Sequence, residues 1–185
     1  MSLFGTEYKC IVADPPWAFR DSLPGEGRGA VKHYHVLPTK GLELFPLQGQ
    51  PAFPLIADDA WLFMWRTAAM AEDAYGVARA WGFTPKSEIV WNKVTASGKQ
   101  HFGMGHYVRA AHETCIVAVR GSPKVLSHSV RSTFSAPVGK HSEKPAEFFR
   151  IVEQLAPGPR VEMFARCRRP GWDALGDEVP ALEER

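Results

Sequence analysis

Cys10-Ile11-Val12-Ala13-Asp14-Pro15-Pro16-Trp17 is the stretch on which the reading turns. Four apolar residues with β-branched Ile11 and Val12 at their centre make a buried strand. The run stops abruptly at a carboxylate and two prolines. Neither proline has a backbone N–H and each fixes φ, so the segment leaving the strand is rigid and extended. Its carbonyls are left as acceptors for which no helix or sheet competes, Asp14 adds a carboxylate, and Trp17 supplies a flat ring face. That set suits a planar heterocycle with an exocyclic amine: the ring stacks and its two N–H groups meet two acceptors. An adenine N6 amine is a poor nucleophile because its lone pair is delocalised. Two acceptors on its hydrogens localise that pair, so that a methyl sulfonium in line can be attacked.

Outward from this motif the chain alternates strands with helices. Trp61 to Trp65 reads as a second buried strand, Glu88 to Trp91 as a third, Thr114 to Val119 as a fourth and Val161 to Phe164 as a last one. Thr67 is placed to cap a helix in which Met70, Ala74, Val77 and Trp81 share one face, and Gly82 ends it. A short helix starts after Thr39. Pro145 suits the first helical position of another, with Phe148, Ile151, Val152 and Leu155 on its apolar face and Pro157-Gly158-Pro159 beyond it. Gly-, Ser- and base-rich segments at about 18–36, 95–109 and 121–143 read as flexible loops. The alternation predicts an α/β domain with a mainly parallel sheet, whose ligands sit beyond the carboxyl ends of its strands. Asp14 to Trp17, the loop after Trp91 and the segment after Phe164 all lie at such ends.

Composition sets the bounds. At 185 residues, 45% hydrophobic and 23% charged, the chain has material for one domain, 1–185, with a sizeable core. No stretch approaches the roughly 20 apolar residues of a membrane span. The first residues lack the basic-then-apolar pattern of a secretory signal. Three dispersed cysteines, Cys10, Cys115 and Cys167, argue for a reducing compartment, and a cytoplasmic location is expected. No CxxC or HExxH occurs and no metal is expected; His33 and His35 read as nucleic-acid contacts rather than ligands. Between Lys93 and Lys144 eight basic residues stand against two acidic ones, a local excess that suits a polyanionic partner.

In order along the chain come Asp14-Pro15-Pro16-Trp17, Lys32-His33-Tyr34, Trp61 to Trp65, Ala80-Trp81-Gly82-Phe83, Ile89 to Lys93, His112-Glu113 and Arg120-Gly121. There follow His141 to Pro145, Glu162 to Arg166, Arg169 to Asp173 and Gly176-Asp177-Glu178. In this array the chain resembles the MT-A70 family of N6-adenine methyltransferases, its compact bacterial and prophage members in particular, from about residue 10 to residue 179. The resemblance implies a Rossmann-like class I methyltransferase fold in permuted order, the Asp14 strand first and the S-adenosylmethionine strand near the C-terminus. It implies methyl transfer from S-adenosylmethionine to the N6 amine of adenine in nucleic acid, DNA ahead of RNA. A catalytically silent nucleic-acid-binding subunit of a heterodimer is the alternative in another class, and a homodimer is equally open. An N4-cytosine methyltransferase shares the chemistry, but Trp17 stands where that class usually has tyrosine.

By the same resemblance, Asp14, Pro15, Pro16 and Trp17 carry catalysis. Asp14 also meets the cofactor's amine and Lys144 its carboxylate. Phe164 packs near the cofactor, Arg166 and Arg168 lie by its ribose, and Asp177 and Glu178 hold its ribose and adenine. Lys32, Tyr34, Arg109 and Arg131 are the expected nucleic-acid contacts on the loops. His112 and Glu113 read as structural. Two departures stand out. Only nine residues precede Cys10, so the adenine contacts that larger members draw from an earlier strand are replaced or lost here. Arginines occupy 168 and 169, where the eukaryotic catalytic subunit has histidine and asparagine.

Overall fold

The computed structural model describes residues 6–18, 37–45, 55–103, 105, 107–139, 143–176 and 179. Among the described residues seven strands form one sheet: β1 (Tyr8–Ala13), β2 (Ile56–Arg66), β3 (Thr84–Val94), β4 (His112–Arg120), β5 (Thr133–Pro137), β6 (Arg160–Met163) and β7 (Asp173–Leu175). The helices are α1 (Thr39–Leu44), α2 (Ala71–Ala80), entered through a 3-10 turn at Ala68–Met70, and α3 (Ala146–Leu155). The strand order is β5-β3-β4-β2-β1-β6-β7. β1 is flanked by parallel neighbours on both sides, β2 and β6.

Four of the six strand pairings are parallel, and the two antiparallel ones both involve β4. Alternation of strands with helices predicts a mainly parallel sheet. β4 is the antiparallel exception: among the described residues no helix stands between β3 and β4, so the chain returns beside β3 as a hairpin and makes no crossover.

The continuous apolar runs of β1 and β2 follow from burial on both faces. Side chains alternate: Ile11, Ala13, Leu62, Met64, Ile116 and Ala118 face one core, together with Leu42 of α1 and Ala74, Val77, Ala78 and Trp81 at α2. Cys10, Val12, Trp61, Phe63, Trp65, Cys115 and Val117 face the other, under Phe148, Phe149 and Val152 of α3. Sheet and helices thus stack as three layers. The second core is aromatic. The Phe148 ring lies within 4.6 to 6.5 Å of Trp65, Phe149, Phe63 and Phe134. Burial pushes the Cys10 and Cys115 thiols well above their ordinary range, which leaves them inert core residues.

Several local expectations change. Thr67 makes no capping bond; its hydroxyl is buried without a partner, and Met70 occupies the N-cap of α2. Pro145 is the N-cap of α3 rather than its first helical residue. β3 runs well past Glu88 to Trp91 at both ends, because β4 and β5 supply ladder partners for its exposed polar residues. β5 lies inside the segment read as the third loop. As a five-residue edge strand ending in Pro137, it carries no apolar run to announce it. Gly82 does end α2, with φ +83°.

Phe148→Ala removes the ring on which four aromatics converge and is expected to cost about 3–5 kcal/mol. Thermal unfolding should move down by roughly 10 °C; an unchanged midpoint would contradict this account of the second core.

Candidate active site

A cavity of about 310 Å³ opens where β1, β2 and β3 end and β4 begins. Each wall comes from one of those ends: Asp14 to Trp17 after β1, Trp65 to Ala68 at the end of β2, Lys93 near the end of β3, and Ala110 to Thr114 leading into β4. Lys144, just before α3, and Arg166, just after β6, complete it. Such a cleft is within the usual size of small-ligand sites.

The proline segment is more committed than its sequence indicates. The Trp17 amide donates to the Pro15 carbonyl (2.8 Å) and the Leu37 amide donates to that of Pro16 (3.0 Å). Both carbonyls expected to be idle therefore have one partner, although an sp² oxygen has a second lone pair. Trp17 is only 4% exposed, and its indole N–H donates to the Trp65 carbonyl at 3.0 Å. It stands as a fixed wall, most of its ring in the core rather than offered as an open face.

A row of charges crosses the cavity. Lys144 Nζ donates to Asp14 Oδ2 at 2.7 Å and lies 3.3 Å from Glu113 Oε2. Lys93 Nζ lies 2.6 Å from Glu113 Oε1. Asp14 Oδ1 receives no hydrogen bond from a described residue. The Lys144 ammonium also sits 5.2 Å from the Trp65 ring centroid, a cation–π distance. Burial by itself would lower the Lys144 pKa, but the Asp14 and Glu113 carboxylates outweigh it and hold it above its usual value. Burial likewise opposes the Glu113 charge, and Lys144 and Lys93 outweigh that too, so its pKa is lowered. Arg66 is held aside by Glu88 at 2.7 Å, and Glu88 also accepts from the Tyr75 hydroxyl. In all, four cations and two carboxylates line the cavity. Two buried polar atoms on lining residues, Trp65 Nε1 and Thr67 Oγ1, have no hydrogen-bond partner.

Of the residues singled out in the sequence, Asp14, Pro15, Pro16, Trp17, Lys144 and Arg166 are brought together here. Phe164 is not among the lining residues; at φ +58° it turns the chain after β6 and packs 5.6 Å from Phe45. Arg168 is exposed and outside the lining. Arg109 is exposed beside lining residue Ala110. Arg131 belongs to a second cavity, with Lys86, Ile89 and Val117, toward the opposite ends of β3 and β4. Lys32, Tyr34, Asp177 and Glu178 lie outside the described residues.

Glu113 and Lys93 are the cavity-lining residues that sequence reasoning missed. Both belong to the β3–β4 hairpin, in whose register Trp91 faces Glu113 and Asn92 faces His112. Opposite charges near the mouth of a hairpin were the available signal. Glu162 is a further member of the neighbourhood. On β6 it pairs with Val12. Burial, with Asp14 nearby, pushes its carboxyl up to about 7 despite Arg169, whose Nε is 3.7 Å away, beyond hydrogen-bond reach.

The MT-A70 family model matches residues 8–178. Among similar proteins is the N(6)-adenosine-methyltransferase catalytic subunit METTL3 of Homo sapiens, 27% identical over 192 residues, which span 98% of this chain and 30% of that protein. The N(6)-adenosine-methyltransferase MT-A70-like protein of Drosophila melanogaster is 26% identical, over 98% of this chain and 28% of its own. The type II methyltransferase M.MunI of Mycoplasma sp is 28% identical over 94% of this chain and 78% of its own. The chain thus spans less than a third of the METTL3-type relatives and more than three quarters of M.MunI.

Glu162 supplies a pH test. Its folded pKa lies above the ordinary 4.5, so the fold is favoured while the carboxyl is neutral in both states and loses that advantage as pH rises from 4.5 through about 7. Carrying the charge above that range costs up to about 3 kcal/mol. Glu162→Gln should therefore raise stability at pH 8, with the gain fading toward pH 4.5, as read by denaturant melts across pH. A gain that grows toward acid would refute it.

Proposed function

The chain belongs to the MT-A70 family, and from that premise we propose that it is an S-adenosylmethionine-dependent methyltransferase acting on the N6 amine of adenine in nucleic acid. The observation that carries this reading is the delivery of Asp14-Pro15-Pro16-Trp17 by the central strand β1 into a cavity crossed by Lys144 and Glu113. The strand order supports a permuted Rossmann-like methyltransferase sheet: the motif strand is first in sequence, and β6, its parallel neighbour, is nearly last.

The donor set fits the cofactor. Its methionyl end carries an ammonium and a carboxylate, and the cavity offers carboxylates and an excess of cations to receive them. Asp14 is the group for the ammonium; Lys144 and Arg166 are the groups for the carboxylate. When bound, S-adenosylmethionine supplies an electrophilic methyl group on a sulfonium.

The target amine has two N–H groups. Asp14 Oδ1 accepts one, and the second lone pair of the Pro15 carbonyl accepts the other. The fixed Trp17 indole and the proline turn hold that geometry rigid, so orientation is established before substrate arrives. The amine also sheds a proton, and Asp14 is the carboxylate at hand to take it. Lys144, 2.7 Å from Asp14 Oδ2, holds the carboxylate in place for both tasks.

DNA is the favoured substrate, because the relative whose length this chain most nearly matches among those compared is a type II methyltransferase. RNA is the second reading, and the adenosine in the METTL3 name supports it.

Nucleoside mass spectrometry after incubation with S-adenosylmethionine and single-stranded DNA, duplex DNA or RNA tests this. N6-methyladenine is expected in the DNA pools. Asp14→Ala should lower its rate by at least about a hundredfold, and Lys144→Met should weaken cofactor binding by roughly tenfold or more. Absence of both methylation and cofactor binding would overturn the reading in favour of a silent nucleic-acid-binding subunit.

A further inference from the structure

The β3–β4 hairpin does not close simply. After β3 the chain turns at 95–99, and its return leaves a projection from 103 to 110, pinned at its base where the Gly103 amide donates to the Ala110 carbonyl at 2.8 Å. A Cβ on Gly105 would run into the Val108 carbonyl, so this position requires a glycine.

Five large hydrophobic residues are exposed among those described, and three of them cluster here, Phe102 (59%) at the foot of the projection and Tyr107 (100%) and Val108 (78%) on it. Such clustering marks an interaction surface rather than ordinary scatter. The projection leads directly into the active cavity, since Ala110, His112 and Glu113 line it. From Thr95 to Ala111 there is no acidic residue, whereas Lys99, His101 and Arg109 lie there.

Aromatic side chains interleaved with cations, with no carboxylate to repel phosphate, fit a polyanionic strand whose bases present flat faces. An apolar protein partner would not call for the cations. We infer that this projection is a base-stacking arm: Phe102 and Tyr107 stack on nucleobases flanking the target adenine, while Arg109 meets the backbone phosphate. The inference rests on the methyltransferase reading for the target's identity, but not for the stacking itself. It also gives the enzyme a sequence-tolerant grip, because every base has a π-face.

Fluorescence anisotropy of the full chain with a labelled single-stranded DNA 20-mer rich in adenine tests this across salt concentrations. Phe102→Ala and Tyr107→Ala should each weaken binding by roughly tenfold, with the slope of log affinity against log salt unchanged. Arg109→Ala should reduce that slope by about one. Phe102→Trp and Tyr107→Trp should restore affinity, and S-adenosylmethionine binding should stay at the wild-type level in all, which separates lost stacking from lost folding. Alanine variants that bind like wild type would overturn the arm. So would affinity lost together with salt slope, absence of DNA binding by the wild type, or a shift in sedimentation that assigns the patch to a second copy of the chain. Aromatic-dependent binding without any methylation would leave the arm standing and overturn the proposed chemistry.

Discussion

The Lys144 ammonium between Asp14 and Glu113 is the constraint on which the site depends. It joins the end of the first strand to the turn before the last helix, 130 residues apart in the chain. Two carboxylates so close in a partly closed cleft would repel each other and seek protons. A buried ammonium alone would seek to lose one. Removing Lys144 would take from Asp14 its ion-pair partner, whereas Glu113 would keep Lys93. The arrangement is therefore a polar network that specifies geometry more than it adds stability.

That network can exist only because the sheet is filled on both faces. Alternate residues of β1, β2 and β4 enter two separate cores, and the helices above and below leave these strand ends open, where polar side chains converge. The aromatic core under α3 also supports the site directly. Trp65 contributes its ring to that core, its carbonyl to the Trp17 indole, and a face to the Lys144 ammonium. Rigidity in the motif is thus borrowed from packing behind it. The proposed methyl transfer benefits from such a frame, since the acceptors for a weakly nucleophilic amine must be in position before reaction rather than recruited during it.

Much was legible along the chain because apolar periodicity and proline chemistry act locally. The β1 run, the stop at Asp14 and the end of α2 at Gly82 each follow from a few adjacent residues. Short edge strands escaped notice, because β5 and β7 are stabilised by neighbours that a linear reading does not supply. The reversal of β4 was likewise hidden: whether a loop makes a hairpin or a crossover depends on the absence of a helix within it. Trp17 illustrates a subtler limit. A tryptophan after two prolines reads equally well as a stacking face or a core wall, and only its hydrogen bond to Trp65 and its 4% exposure place it mostly in the wall.

The sequence by itself determined the acceptor motif at the end of a buried strand, the alternation of elements and the local excess of positive charge, since each depends on covalent geometry or composition over short spans. Only the tertiary structure decided which charges meet. Glu113 and Lys93 became part of the site through strand register, and Arg131 was carried toward the opposite ends of β3 and β4 by the same sheet. The reason is physical: ion pairing acts across a few ångströms of space, and the distance between two side chains is set by the packing of the sheet, not by their separation along the chain.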